Sequence, residues 1–130
     1  MCEAPVAPFY NKNRVVMMGD AAHATTPYQG QGAGQAIEDA LVLETLLAKV
    51  SSPEQISNAF TAFDQTRRPR SQRIVKTRRE SGELLGMKLE GVGSDIGKMR
   101  ERLSTRMHWV WHRDLLAQNK EAVELFEESL

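Results

Sequence analysis

The sequence predicts an α/β fragment: one buried strand that leads into a glycine-rich loop, followed by mostly α-helices. Three observations carry that prediction. Val15-Val16-Met17-Met18 is a short apolar run with β-branched residues and no polar alternation, the pattern of a strand covered on both faces. Gly19 ends it, and glycine, threonine and proline dominate from Asp20 to about Gly34. Beyond that loop every apolar pattern has a spacing of three or four residues, and no second strand signal appears.

Before the strand, residues 3 to 13 hold Pro5, Pro8 and the polar triplet Asn11-Lys12-Asn13, read as a loop closing in a turn. After it, a helix is expected from about Gly34 to Val50, with Ala36, Ala40, Leu43 and Leu47 on its packed stripe and Ile37 and Leu41 beside them. Ser52-Pro53-Glu54-Gln55 has the form of a helix start: capping serine, proline at the first position and glutamine placed for a capping box. Ile56, Ala59, Phe60 and Phe63 form the stripe of that helix, which Pro69 should interrupt or bend. Five of the nine glycines lie between Gly82 and Gly97, so a loop or broken helix is expected there. Ser94-Asp95 can cap a helix to about Arg106, and a last helix should run from Leu115 to Leu130, burying Leu116, Val123 and Phe126. Two regions follow: 1–50, carrying the strand, loop and first helix, and 51–130, helical throughout.

Composition narrows the function classes. The chain has 130 residues, 41% of them hydrophobic, which suits one modest core. Lysine plus arginine and aspartate plus glutamate number 17 each, so bulk charge gives no reason to expect a nucleic acid or a membrane as partner. Cys2 is the single cysteine, which excludes an internal disulfide and suits a reducing compartment. The start, Met1-Cys2-Glu3-Ala4-Pro5, lacks the basic and apolar regions of a signal peptide, and a cytoplasmic location is expected.

The chemistry concentrates in residues 14 to 40. An aspartate just past the carboxyl end of a buried strand lies where open α/β sheets take their ligands. Asp20, ionised and acceptor-only, suits the hydroxyls of a ribose or polyol. Gly30, Gly32 and Gly34 let the backbone approach a flat or anionic group, and the helix behind them starts with unpaired amides and partial positive charge. Either feature alone is more simply explained as a capped turn or an ordinary loop. Gly30-Gln31-Gly32-Ala33-Gly34 is not the dinucleotide fingerprint either, because Gln35 stands where its third glycine belongs.

The stretch as a whole is more specific. Gly19-Asp20-Ala21-Ala22-His23, Pro27 and Gly30-Gln31-Gly32-Ala33-Gly34 resemble the second flavin-binding motif of class A FAD-dependent aromatic monooxygenases. The run from Ala24 to Ala40 is most similar to the salicylate hydroxylase-like branch, as are Phe63-Asp64 and Arg67-Arg68-Pro69-Arg70. The resemblance implies that the fold belongs to a Rossmann-like FAD domain, of which 1–50 would be the carboxyl-terminal part. It implies that Asp20 accepts from the ribityl hydroxyls of FAD, that Pro27 lies against the isoalloxazine ring, and that the Gly32-Ala33-Gly34 amides meet its N1/C2-carbonyl edge. Gly30 counts with them among the cofactor-binding residues. Relatives often carry asparagine at the position of Gly34, so a side-chain contact there is lost. The implied activity is hydroxylation of a small aromatic substrate with NAD(P)H and O2, in which these residues hold cofactor rather than act as acid, base or nucleophile. No catalytic residue is assigned.

Glu38 and Asp39 read as complements of the helix dipole in its first turn, and His23 as a structural hydrogen-bond partner. Gln31 is expected to help shape the loop, and Tyr28 to pack near substrate. His108 and His112 have the spacing of a metal pair, but no third ligand stands near, and packing aromatics with satisfied histidines are expected instead. The basic run from Arg67 to Arg79 reads as a solvated face, or as partners of Glu80 and Glu83. The family's first motif, G-x-G-x-x-G, and its Asp-Gly motif do not occur in this sequence. The chain therefore corresponds to roughly the last third of such a protein, and is expected to be inactive alone and to need its missing sheet for stability. The alternative is a non-catalytic helical interaction module that associates with itself or with the missing amino-terminal portion.

Overall fold

A computed structural model describes residues 6–130, apart from the side chain of Tyr28. The expectations placed on Cys2 and on the first five residues lie outside it, as does that on Tyr28. The chain opens with a hairpin: β1 (Asn11–Lys12) pairs antiparallel with β2 (Val15–Val16), Asn11 opposite Val16 and Lys12 opposite Val15. Asn13 turns the corner at φ 54°, a left-handed conformation that asparagine tolerates better than most residues. The bond from Met17 N–H to the Tyr10 carbonyl (2.7 Å) continues the pairing.

Six helices follow: α1 (Asp20–His23), α2 (Gly32–Leu47), α3 (Ile56–Leu85), α4 (Ile96–Thr105), α5 (His108–Trp111) and α6 (Leu115–Glu128). Single 3-10 turns precede α2 (Pro27–Gln29) and α3 (Pro53–Gln55). The fold class is as read from the sequence: a short strand, a glycine loop and then helices. The strand is smaller and more open than the apolar run suggested. Val15 is 68% exposed and Val16 and Met17 only partly covered, since within this chain β2 has a neighbour on one edge and packing on one face.

The long helix α3 is the spine. Along it pack α2, α6 and the hairpin. The main core joins Val42, Leu43 and Leu46 of α2 to Ala59, Ala62 and Phe63 of α3 and Ala122 and Phe126 of α6, with Tyr10 and Ala22 closing the hairpin end. Alanine at 59, 62 and 122 lets the three helix axes approach closely. Tyr10 is tied down twice, its amide donating to Asp64 Oδ1 (2.8 Å) and its hydroxyl lying 2.7 Å from Ser71 Oγ.

Several helix expectations need correction. α2 begins at Gly32, two residues early, and its buried face is Gln35, Glu38, Asp39, Val42, Leu43 and Leu46. Ala40, Ile37 and Leu47 are exposed, because the face turned to α3 continues into charged residues that a cation on α3 compensates. Gln55 reaches back to the Ser51 amide (2.9 Å) rather than Ser52, so the capping box is displaced by one residue. α3 continues through Pro69, whose exposed ring faces away from the core and whose missing amide costs one ladder bond. The glycine cluster does end α3, at Gly86, and Gly91 (φ 78°) and Gly93 (φ 53°) occupy turns that favour glycine. Asp95 caps α4 through Lys98 N–H, and Asp114 caps α6 through Ala117 N–H, both at 3.0 Å. In α6, Phe126 is buried as expected, but Leu116 is 80% exposed, since the face packed on α2 and α3 runs through Gln118, Ala122 and Phe126.

Candidate functional site

Gly19 sets the entry to the loop. It adopts φ 58°, ψ −141°, a region essentially reserved for glycine, and a Cβ there would come within 3.5 Å of the Ala36 Cβ. The tight turn leads directly into Asp20, first residue of α1, while Gly19 itself lies against Ala36 of α2. Asp20 is exposed, and its carboxylate makes no hydrogen bond to the described residues, leaving its lone pairs for solvent or a ligand hydroxyl.

Pro27 opens a 3-10 turn with its ring exposed, and its carbonyl accepts from the Gly30 amide at 3.2 Å. Gly30 is left-handed at φ 63° and has open space where a Cβ would stand. α2 then starts with no side-chain cap. The first bond of its ladder is Gln35 N–H to the Gln31 carbonyl (2.9 Å), so the amides of Gly32, Ala33 and Gly34 have no partner within the helix. Ala33 is exposed and the two flanking glycines half-buried. An acceptor carboxylate at one end and a cluster of free amides at the positive end of a sixteen-residue helix at the other thus share one loop.

Beneath the loop lies a polar network that locks it to α3. Arg67 is fully buried and donates from all three nitrogens: Nε to Asp39 Oδ1 (2.8 Å), Nη1 to Glu38 Oε2 (2.7 Å) and Gln118 Oε1 (3.2 Å), Nη2 to Gln35 Oε1 (2.8 Å) and the Gln35 carbonyl (3.3 Å). Asp39, also fully buried, takes the Gly19 amide (2.9 Å) and His23 Nε2 (2.6 Å) on its other oxygen. Arg70 completes the coordination of Glu38 through Nε (2.7 Å) and Nη2 (2.8 Å). Burial is the largest influence on both carboxyls and pushes their pKa up. The opposing hydrogen bonds and charges, from His23, Gly19 and Arg67 for Asp39 and from Arg70, Arg67 and Gln35 for Glu38, outweigh it and hold both below their ordinary values. One carboxylate thereby fixes both the turn at Gly19 and the helix that supplies the amides.

His23 makes the structural hydrogen bond expected of it. Glu38 and Asp39 do not serve the helix dipole: they lie in the second turn of α2, buried, and pair with arginine instead. The basic run divides. Arg79 lies 3.6 Å from Glu83 on an exposed face, and Arg73 stacks over Trp109 at 4.0 Å, but Arg67 and Arg78 are core residues. Glu80 is taken by Arg106 (3.1 Å). His108 and His112 are both exposed, the latter bonded through Nδ1 to the His108 carbonyl (2.9 Å). Trp109 is half-buried and Trp111 is 65% exposed, so only part of that segment packs. Among the described residues no group of three or more His, Cys, Asp or Glu is placed to hold a metal ion, and no helix is long and apolar enough to cross a membrane.

The Arg67 network was missed in the sequence, although a signal exists. Gln35, Glu38 and Asp39 extend the Val42-Leu43-Leu46 stripe at spacings of three and four, so the packed face of α2 includes charge.

Known proteins are similar to this chain over most of its length. The family model described as FAD binding domain matches residues 2–78. A 6-methylsalicylate 1-monooxygenase of Aspergillus terreus is 47% identical over 120 residues, covering 92% of this chain and 27% of its own length. A salicylate hydroxylase of Pseudomonas putida is 42% identical over 109 residues, covering 83% of this chain and 25% of its own. A solved structure of a salicylate hydroxylase substrate complex superposes with a TM-score of 0.87 at 39% identity, over 90% of this chain and 29% of that one. The chain thus spans between a quarter and three tenths of the length of these relatives. With the family model covering residues 2–78 and relatives of this kind over most of its length, the chain belongs to the FAD-binding domain family, in its salicylate hydroxylase-like branch.

Proposed function

We propose that this chain is the ribityl- and ring-holding portion of an FAD-dependent monooxygenase that hydroxylates a small, salicylate-type aromatic with NAD(P)H and O2. The observation that carries the reading is the loop itself, with the exposed Asp20 carboxylate, unbonded among the described residues, at one end and the uncapped Gly32-Ala33-Gly34 amides at the other. A polyhydroxylated chain ending in an electron-rich ring fits both ends. At Gly30 open space stands where a Cβ would lie, while at Gly32 and Gly34 a Cβ would meet the side chains of Arg78 and Gln31. Residues 1–50 then form the carboxyl-terminal part of the FAD domain, and 51–130 the helical region packed on it.

In this reading Asp20 accepts from the ribityl hydroxyls. Pro27 and Gly30 shape the wall beside the ring, and the Gly32, Ala33 and Gly34 amides face its electron-rich edge. When bound, the flavin supplies the redox chemistry and the activation of oxygen. What the protein adds at this loop is fixed positive potential, which costs no reorganisation because α2 is already anchored through Asp39 and Arg67. The relatives' names favour a salicylate-like substrate.

The test is flavin retention. Purified chain supplied with FAD should quench its fluorescence, and Asp20→Ala should weaken binding about tenfold or more, the scale of one charge-assisted hydrogen bond. Equal affinity in the variant would refute the role of Asp20. Absence of FAD binding, even with the rest of a related enzyme supplied in trans, would leave the helical interaction module as the better reading.

A further inference from the structure

Two arginines of α3 are almost wholly buried on the side facing α2. Arg67 is satisfied by two carboxylates, while Arg78, three turns further on and only 2% exposed, has no hydrogen bond to a carboxylate among the described residues. Among the described residues its Nε and Nη1 have no hydrogen-bond partner. Its Nη2 lies 3.8 Å from the point a Cβ on Gly32 would occupy, with Thr25 Oγ1 3.9 Å from that same point. The guanidinium therefore sits directly behind the first residue of α2. Burial disfavours its charge, and the negative charge of Asp20 favours it, although Asp20 makes no hydrogen bond to it. Arginine does not lose its proton in proteins, so a charged, largely unpaired group is held against the backbone of the loop.

Such a group is costly in the folded chain unless something answers it. Arg67 shows how the fold answers a buried guanidinium on this helix when the purpose is structural: carboxylates and amide oxygens on α2 and α6 saturate it. Beside Arg78 the fold places the backbone of Gly32 instead. Its charge adds to that of the uncapped α2 terminus, and both bear on the same point of the loop.

We propose that Arg78 is the cation behind this loop site, supplying, together with the amides of Gly32 to Gly34, the positive potential that receives an anionic or electron-rich edge of the bound group. The proposal deepens the flavin reading and rests on it for the identity of the ligand, but not for the anion preference. Ribityl hydroxyls on Asp20 would leave that carboxylate ionised, but they would not fill the donor positions of Arg78 Nε and Nη1, which have no partner among the described residues. The ring edge then becomes its natural counterpart.

The experiment compares wild type, Arg78→Met and Arg78→Lys in thermal melts of the unliganded chain, melts with added inorganic sulfate, and FAD titrations followed by fluorescence. The expected result has three parts. The unliganded Met variant melts no lower than wild type, because an unanswered buried charge is gone. Stabilisation by sulfate is lost in Met and partly kept in Lys, and FAD binds at least tenfold more weakly to Met than to Lys. Lower melting of the unliganded Met variant, with sulfate and FAD responses unchanged, would overturn the proposal by making Arg78 a packing residue. An Arg78-dependent sulfate response with no FAD response in any variant would sustain the anion site and sink the flavin reading instead.

Discussion

Replacing Arg67 by methionine is the sharpest perturbation of this structure. Methionine keeps much of the side chain's length and apolar stem but removes five hydrogen bonds, to Asp39, Glu38, Gln118 and twice to Gln35. Glu38 keeps its two bonds from Arg70. Asp39 keeps His23 and Gly19 but loses its only arginine while remaining fully buried. Removing one partner of a buried ion pair costs about 3–5 kcal/mol. For a domain of this size, roughly 4 °C of melting temperature goes with each kcal/mol, so Tm should fall by about 15 °C. The pH dependence gives an internal check. Asp39 and Glu38 have depressed folded-state pKa values, so their contribution is present above the unfolded carboxyl range, near pH 4, and is lost as pH falls through the folded values. Without Arg67, Asp39 keeps the hydrogen bonds from His23 and Gly19 but loses the arginine's, so its pKa rises from the wild-type value. The gap between wild type and Arg67→Met should therefore narrow as pH falls below about 4, through the folded-state values. Asp39→Asn combined with Arg67→Met should cost less than the sum of the single changes. Circular-dichroism melts across that pH range measure all of this. A Tm within about 3 °C of wild type at pH 7, or a gap independent of pH, would refute the account of the network.

Other changes test neighbouring claims by the same melts. Gly19→Ala should cost about 1–3 kcal/mol, because its backbone conformation is one that side chains resist, and an unchanged Tm would show the turn to be adaptable. Phe126→Ala should cost about 3–5 kcal/mol if α6 completes the core as described, whereas Leu116→Ser, at an exposed position, should be nearly neutral. A reversed order for that pair would mean α6 packs on its other face.

The loop was legible in the sequence because its chemistry is local. Gly19, Asp20, Pro27 and the glycines at 30, 32 and 34 occur in one short run whose turn and helix start need no distant residue. The capped start of α4, the start of α6 at Leu115 and the glycine break after α3 were legible for the same reason. What escaped was non-local. The carboxylates of α2 meet their cation at Arg67, 28 or 29 positions further along the chain, and nothing in either segment alone says which charges face each other. Reading charge as surface misplaced the packed face of α2 and the role of Glu38 and Asp39. Pro69 illustrates another limit: propensity alone ends the helix there, but packing of α3 on three partners carries it through.

The central claim is that the loop from Asp20 to Gly34 holds the ribityl and ring end of a flavin. Titrating the chain with FAD, riboflavin and adenosine tests it most directly. The account predicts that riboflavin binds with an affinity close to that of FAD, that Asp20→Ala weakens both alike, and that adenosine does not compete. Competition by adenosine, or FAD binding with no riboflavin binding, would contradict it.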